Sequence, residues 1–376
     1  MAANVRIAFV GGRGVDSRYG GVENAICQLA SRMAAYPRTE IWVTGRGRGL
    51  GFRRQRFGDV HALQAPKVVG KLGHAICTAI LLLHLMLVVR PQVVLLFASG
   101  PCVFSGLLRL CGVRVIACLR AIDSQRDGWR GPARWILRAG EYAALNHADL
   151  CTVNSLAMQR YFAGRGAETV YIPNGITPLL ADRVGYLDTM GLAANGYLLY
   201  AGRLDPVKRL DVLLRAHAGL PKALRMPLVV AGDKCKSAEY KRQLEQLAGT
   251  EVIFLGHVDQ GTLSTLMRHC ALFILPSVLE GMSNSLLSAM GAGRCVLCAD
   301  VEENADVVAA DRRYLFEADN VADLQRQLTH YLTDPVKREA AGQALLLIGA
   351  SLDWTHSTAR FYQLACNVES ICPISN

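Results

Sequence analysis

The sequence predicts two α/β domains in tandem, each a doubly wound parallel sheet. Three observations predict it. The chain has 376 residues, near twice a typical single domain. Two successive series of short apolar runs are each followed by helix-compatible stretches, and a segment rich in Pro, Asn and Gly separates the two series.

The first series opens with Val5–Val10 (VRIAFV), followed by a glycine-rich turn and then Val22, Ile26, Leu29 and Met33 at helical spacing. Ile41–Thr44, Val93–Phe97, Val113–Cys118 and Leu150–Val153 continue the strands, with helical stretches between them. The second series runs Tyr197–Gly202, Pro227–Gly232, Val252–Gly256, Ala271–Pro276 and Arg294–Ala299. The junction lies near IPNGITPLL, Ile172–Leu180, so the expected domains are residues 1–178 and 179–353, with a C-terminal helix from about 354 to 376 packing back on the first. Ligands of such sheets sit at the carboxyl ends of the strands, and a cleft between the domains is the expected site.

Composition narrows the function classes. With 51% hydrophobic and 19% charged residues the chain can bury sizeable cores. The twelve cysteines are scattered without disulfide spacing, and the N-terminus reads as a strand and not as a signal peptide, which points to a cytoplasmic protein. Cys295 and Cys298 form a C-x-x-C inside an apolar run, the pattern of buried thiols, and no metal site is expected. Residues 1–178 hold 22 Lys and Arg against 9 Asp and Glu, whereas residues 179–376 hold 19 against 22. The basic half therefore faces something anionic, and without a recognition helix or an aromatic platform nucleic acid is the least supported choice.

Two segments of the first half bear on membranes. Leu72–Val89 is uncharged and mostly apolar, the borderline length for a span, and reads as a buried or half-buried helix because two histidines lie in it and a strand follows at once. Gly45–Phe57 (GRGRGLGFRRQRF) reads as a loop with five arginines interleaved with Leu50, Phe52 and Phe57. Basic charge with a few apolar anchors suits reversible contact with an anionic bilayer, and a solvated loop is the alternative.

The glycine-rich loop Gly11–Gly21 fails the dinucleotide pattern, since Ser17 stands at the third glycine and no acidic residue ends the second strand. What remains is a loop whose Gly20 and Gly21 precede a helix, where backbone N–H groups can meet a phosphate. In GRLDPVKRLDVLL, Arg203 and Lys208 follow the first strand of the second domain, and a guanidinium fork with a point charge suits a diphosphate. After ALFILPS come Glu280 and a helix start at Gly281, Met282, Ser283, Asn284 and Ser285: amides for an anion, with a carboxylate beside them for hydroxyl groups. Phosphate donors plus a sugar-binding carboxylate make a nucleotide-sugar site.

These segments, with VVAGD, VIFLGHV, ILPSVLEGMSNSLLSAMGAG and YIPNGI, resemble in order and spacing the retaining glycosyltransferases of family 4 over nearly the whole chain. RYGGVE, Arg18–Glu23, resembles the rhamnosyltransferase-like subgroup that builds bacterial surface polysaccharides. The resemblance implies the GT-B fold, two facing Rossmann-like domains with parallel sheets and a cleft between them. It implies that Arg203 and Lys208 bind the donor diphosphate, that Glu280 and the Gly281–Ser285 amides hold the donor sugar and phosphate, and that Gly20 and Gly21 approach the phosphates. It implies a nucleoside-diphosphate sugar as co-substrate, no cofactor or metal, a glycan or polyprenyl-diphosphate-linked acceptor, and a place at the inner face of the membrane.

The chain departs from the family at two positions. A second glutamate, expected eight residues after Glu280, is Ser288, and exchanging a charged bidentate acceptor of ribose hydroxyls for one neutral hydrogen bond costs roughly 1–3 kcal/mol if nothing compensates. In LRAIDSQRDGW, Leu119–Trp129, Asp123, Gln125, Arg126 and Trp129 match the subgroup, but its histidine falls on Arg120. In a front-face displacement, in which the leaving diphosphate takes the acceptor proton, Arg120 is placed to stabilise the departing phosphate and Asp123 to orient the acceptor hydroxyl. Structural roles for both stay open. The expected function is transfer of a hexose or 6-deoxyhexose; the alternative, favoured by Ser288 and Arg120, is a catalytically impaired homologue acting as a partner subunit or sugar-nucleotide sensor.

Overall fold

The computed structural model describes residues 4–14, 20–46, 51–66, 73–125, 131–183, 185–233, 235 and 237–367. It divides into two compact units, one made of Met1–Gly175 with Trp354–Asn376, the other of Ile176–Asp353. The junction falls three residues before the expected one. Ile176 belongs to the second unit because its N–H donates to the Leu352 carbonyl at 2.7 Å and it forms a bridge with Asp353.

In chain order the first unit holds β1 (Val5–Val10), α1 (Gly21–Met33), β2 (Thr39–Arg46), β3 (Arg53–Phe57), β4 (Val60–Ala65), α2 (Gly73–His84), β5 (Val93–Phe97), α3 (Ser105–Leu110), β6 (Arg114–Leu119), α4 (Pro132–Asn146), β7 (Leu150–Val153), α5 (Leu156–Ala163) and β8 (Val170–Tyr171). Its sheet order is β3-β4-β2-β1-β5-β6-β7-β8, parallel except for β3. The central strands are covered on both faces, which is why VRIAFV and VVLLF read as continuous apolar runs without alternation. Each fully buried Phe or Leu among them contributes about 1.5–3 kcal/mol relative to exposure.

From β1 the chain moves one way to β2, and from β5 it moves the other way through β6, β7 and β8. With right-handed crossovers, α1 lies on one face of the sheet, and α2 to α5 lie on the other. The two core clusters follow this division: Leu29 and Met33 of α1 pack with Ile7 and Phe9, and Leu81 and Leu82 of α2 pack with Val94 and Leu96. Helix α4 passes so close to the end of β5 that a Cβ on Gly140 would lie 1.8 Å from the Ser99 carbonyl oxygen.

The second unit holds α6 (Gly185–Thr189), β9 (Leu198–Ala201), α7 (Leu210–Ala218), β10 (Leu228–Ala231), α8 (Ala238–Leu247), β11 (Val252–Gly256), α9 (Gln260–His269), β12 (Leu272–Leu275), α10 (Asn284–Gly291), β13 (Cys295–Ala299), α11 (Glu302–Val307), β14 (Leu315–Phe316), α12 (Val321–Leu332) and α13 (Pro335–Gly349). Its parallel sheet has the order β11-β10-β9-β12-β13-β14. Cys295 and Cys298 are buried in β13, and burial raises both thiols. The chain then returns to the first unit as α14 (Trp354–Cys366). There Trp354 and Phe361 join the α1 side of the core, and the Tyr362 ring stacks on Tyr36 at 4.3 Å.

Two expectations in the first unit need correction or completion. The arginine segment is not all loop: Arg53–Phe57 forms β3, antiparallel to β4 and exposed along its length. Arginines blunt such an edge against pairing with other chains, so the strand carries no hydrophobic signal. Residues 47–50 of that segment lie outside the described residues. The apolar segment forms α2 and continues through one π-helical turn, Leu85–Val89, to Arg90 in the left-handed region (φ 53°). Among the described residues no helix is long and apolar enough to cross a membrane.

Candidate functional site

In the second unit the chain leaves β9 toward β10 on one side and later returns to place β12 on the other. The carboxyl ends of β9 and β12 therefore form the topological switch point, where ligands of such sheets bind. After β9, a 3-10 turn at Pro206–Lys208 is capped by Asp205, and Arg209 (φ 51°) starts α7. After β12, the Val278 N–H donates to the Val207 carbonyl at 3.0 Å, locking the two loops together. That tie brings Lys208 to Glu280 across 72 positions of sequence: Lys208 Nζ donates to Glu280 Oε1 in an ion pair whose side chains are only 14% and 11% exposed.

Buried tyrosine and glycine backbone set this loop. Tyr200 Oη donates to the Arg203 carbonyl at 2.7 Å, and burial raises its phenol well above the ordinary value. Gly232, at the end of β10 with φ +154°, runs so close that a Cβ would sit 1.8 Å from the Gly202 oxygen. The Arg203 guanidinium is partly exposed and 3.6 Å from the Asp205 carboxylate, so it keeps donors for a ligand.

Helix α10 begins beside this pair. Ser283 is its N-cap, accepting from the Leu286 N–H, and its hydroxyl is 3.1 Å from that of Ser285. Gly281, Met282 and Ser283 are buried, and the N-terminal end of α10 presents its first-turn amides beside Glu280. Ser288 Oγ donates to the Asn284 carbonyl at 2.9 Å. Its proton is thus used inside the helix, leaving only lone pairs for a ligand hydroxyl.

One carboxylate of this edge escaped the sequence reading. Glu303 lies in the first turn of α11, which Asn304 anchors by donating to the Ala299 carbonyl at 3.0 Å and the Ser277 carbonyl at 3.3 Å, at the ends of β13 and β12. Burial raises the Glu303 carboxyl, and the neighbouring Glu302, Glu280 and Asp306 raise it further. In the sequence it looks like an ordinary acid at a helix start; the only available signal was its position after the β13 strand.

In the first unit the switch point lies between β1 and β5. A Cβ on Gly11 would meet the Phe97 oxygen at 2.1 Å, so the glycine loop crosses the end of β5 directly. Residues 15–19 of the loop lie outside the described residues, Arg18 and Tyr19 among them. Gly20, with φ +122°, caps α1, which begins at Gly21, and the nearly buried Glu23 folds back toward Gly20 and pairs with Arg13 at 3.3 Å. The Glu23 carboxylate therefore lies beside Gly20, neutralised by Arg13.

Arg120 and Asp123 follow β6. The Arg120 Nη1 donates to Asn174 Oδ1 at 2.7 Å, and the guanidinium lies 5.2 Å from the Phe97 ring centroid and 5.6 Å from that of Phe361. Burial brings its pKa down to about 10, so it stays charged at neutral pH, while Nε and Nη2 are buried without a hydrogen-bond partner among the described residues. Asp123 accepts from Ser99 Oγ at 3.3 Å, in a turn held by Glu141, which accepts from the Ser124 N–H at 2.9 Å and Oγ at 2.7 Å. Glu141 was not foreseen. Arg126 and Trp129 lie outside the described residues.

Comparisons with known proteins match this architecture half by half. Residues 19–178 match the family model Glycosyltransferase Family 4, and residues 194–345 match Glycosyl transferases group 1. An O-antigen chain mannosyltransferase B of Escherichia coli is 29% identical over 48% of this chain and 48% of its own length. An N-acetylgalactosaminyltransferase of Campylobacter jejuni, acting by its name on a diphospho-undecaprenol-linked sugar, is 30% identical over 38% of this chain and 39% of its own. The chain thus spans about half the length, or less, of these curated relatives. Among solved structures, sucrose-phosphate synthase from Thermosynechococcus elongatus superposes with a TM-score of 0.81 at 18% identity, covering 97% of this chain and 99% of that one. WaaG, a glycosyltransferase involved in lipopolysaccharide biosynthesis, superposes at 0.76 and 18%, covering 96% and 99%. Two family models that between them take in both units, on a backbone shared with such enzymes, place the protein: the chain belongs to glycosyltransferase family 4 and carries the GT-B fold.

Proposed function

We propose that the chain is a retaining glycosyltransferase that moves a hexose or 6-deoxyhexose from a nucleoside diphosphate to a glycan or lipid-linked acceptor in cell-surface polysaccharide synthesis. The observation that carries this reading is the Lys208–Glu280 pair at the β9/β12 switch point, with Arg203 on the same loop. Arg203 and Lys208 share the two phosphoryl groups, and the α10 amides add neutral donors. Glu280 accepts hydrogen bonds from the donor sugar. With two cationic side chains facing the diphosphate, the reading needs no metal.

In the transfer step the bond from C1 to the β-phosphate oxygen breaks, and a bond from C1 to the acceptor oxygen forms on the same face. The acceptor proton passes to the departing diphosphate. The protein contributes position and stabilisation of the negative charge that grows on the leaving group. Asp123 orients the acceptor, and Arg120, bound to Asn174 and stacked on Phe97 and Phe361, holds the end of β6 beside it. The names of the relatives, which speak of O-antigen and of diphospho-undecaprenol, support a membrane-borne acceptor and with it a peripheral place at the membrane.

The turned-in hydroxyl of Ser288 favours a second reading, a homologue that binds the donor without turnover. Incubation with UDP-, GDP- and dTDP-sugars, with release of free sugar or nucleoside diphosphate followed, separates the two. Turnover of one donor that is lost in Glu280→Ala supports the transferase, and binding without turnover by every donor supports the second.

A further inference from the structure

Helix α2, in the helical layer on one face of the first unit's sheet, is apolar on both sides. The inner side packs on the sheet through Leu81, Leu82 and Leu85. On the outer side, Ile76, Ile80, Leu83 and Leu87 follow one another at intervals of four, three and four residues, a single stripe along α2 and its π-helical turn. Ile80 is half-buried, but Leu83 is 61% exposed and Leu87 65%. The next helices on the same face continue it: Leu110 of α3 is 87% exposed and Trp135 of α4 is 72% exposed. A water-facing helix normally carries charge on that side, yet Gly73–Val89 carries none.

The surroundings of this patch are mainly basic, although Arg56 pairs with Asp59 at 3.2 Å and Arg109 of α3 pairs with Asp149 at 2.9 Å. No Asp or Glu occurs in the sequence between Asp59 and Asp123, the stretch that contains α2 and α3. Beside α2 stands β3 with Arg53, Arg54 and Arg56 exposed. The strand is joined to the helix through His84, whose ring stacks on Phe52 at 4.1 Å and lies 3.4 Å from Arg54 Nη2. An arginine row contiguous with an apolar stripe is the pattern of an interfacial element, with side chains for the acyl boundary and cations for lipid headgroups. Since no described helix is long and apolar enough to cross a bilayer, the layer would lie on the surface.

We propose that the outer side of the α2–α3–α4 layer, edged by the β3 arginines, is a docking face that seats the chain on an anionic bilayer. This deepens the reading of a membrane-borne acceptor and rests on it for its purpose. It also assigns the anionic partner of the basic half: the phosphate-rich membrane surface, met through exposed leucines as well as charge.

The test is flotation of the purified full chain with vesicles of equimolar phosphatidylglycerol and phosphatidylcholine, and with phosphatidylcholine alone. The expected result is flotation with the anionic vesicles that weakens with salt. The pair Leu83→Glu with Leu87→Glu should lower partitioning at least about tenfold, and Arg53→Ala with Arg54→Ala and Arg56→Ala should lower it about 100-fold at low salt, near fivefold for each charge. Leu347→Glu, an exposed leucine of α13 in the other unit, should change nothing. Thermal melts confirm that each variant folds. Wild-type protein that stays unbound, or a leucine pair that floats like wild type, overturns the proposal. So does a wild-type dimer in sedimentation that the leucine pair dissociates, which would make a second copy the occupant. Donor hydrolysis without vesicles, run on the same proteins, reports separately on transfer chemistry and should be unaffected by the leucine pair.

Discussion

The carboxyl ends of the two sheets hold comparable residues in different circumstances. At the second unit's edge, Lys208 and Glu280 meet only each other among described hydrogen bonds, on loops tied to β9 and β12, and Arg203 stands beside them partly exposed. At the first unit's edge, Arg120 is committed to Asn174, Phe97 and Phe361, and Asp123 sits in a turn fastened by Glu141. The difference teaches that a cation at a strand end is not by itself a ligand site. What marks one is charge held in place by backbone and left to pair with a neighbour that a ligand can replace.

The largest expected effects test the second edge. Glu280→Ala and Lys208→Ala should each lower turnover about 10²–10³-fold, some 3–4 kcal/mol of transition-state stabilisation. Each single change also leaves a nearly buried charge alone, at a cost of up to about 3 kcal/mol of stability. Combining them should recover most of the melting temperature and none of the turnover. A double variant whose loss of stability equals the sum of the two single losses would show that the pair is not coupled.

The next effect should appear at the first edge, in stability before rate. Arg120→Ala removes a charge stacked on two rings and hydrogen-bonded to Asn174, and should cost about 2 kcal/mol, read as a drop of several degrees in Tm. If Tm is unchanged while turnover falls a hundredfold, the comparison breaks and Arg120 belongs with the chemistry. Gly140→Ala, with no room beside Ser99, should cost about 1–3 kcal/mol without any effect specific to the donor.

Smaller effects sharpen the second edge. Ser288→Ala removes a hydroxyl already bonded within α10 and should change donor affinity about threefold or less. Glu303 has a raised carboxyl pKa, so its folded state favours the protonated form. That preference adds stability below the ordinary glutamate range and is lost as pH rises through the raised value. Glu303→Gln should therefore raise Tm slightly at pH 8 and leave it unchanged in acid well below that range; equal gains at both would remove the charge explanation.

Much of this was legible in the sequence because two-sided burial leaves a strong mark. Runs such as VVLLF and LFIL are uninterrupted, and the breaks after them are glycine, proline or serine. Arg203, Lys208 and Glu280 were legible because they follow those strands directly. β3 was not, since an edge strand of arginines has no apolar face to show. The orientation of α2 was not either: a helix apolar all round does not reveal which side the sheet covers. Glu141 and Glu303 look like ordinary helix acids, and only tertiary packing turns them onto a loop or a strand end.

The most direct measurement of the central claim is turnover and binding of UDP-, GDP- and dTDP-sugars by the wild-type chain and by Lys208→Ala and Glu280→Ala. The account predicts one preferred donor, weakened binding in Lys208→Ala because the diphosphate loses its point charge, and lost turnover in Glu280→Ala. A donor that binds and reacts equally well in all three proteins would contradict it, and would move the site away from the β9/β12 edge.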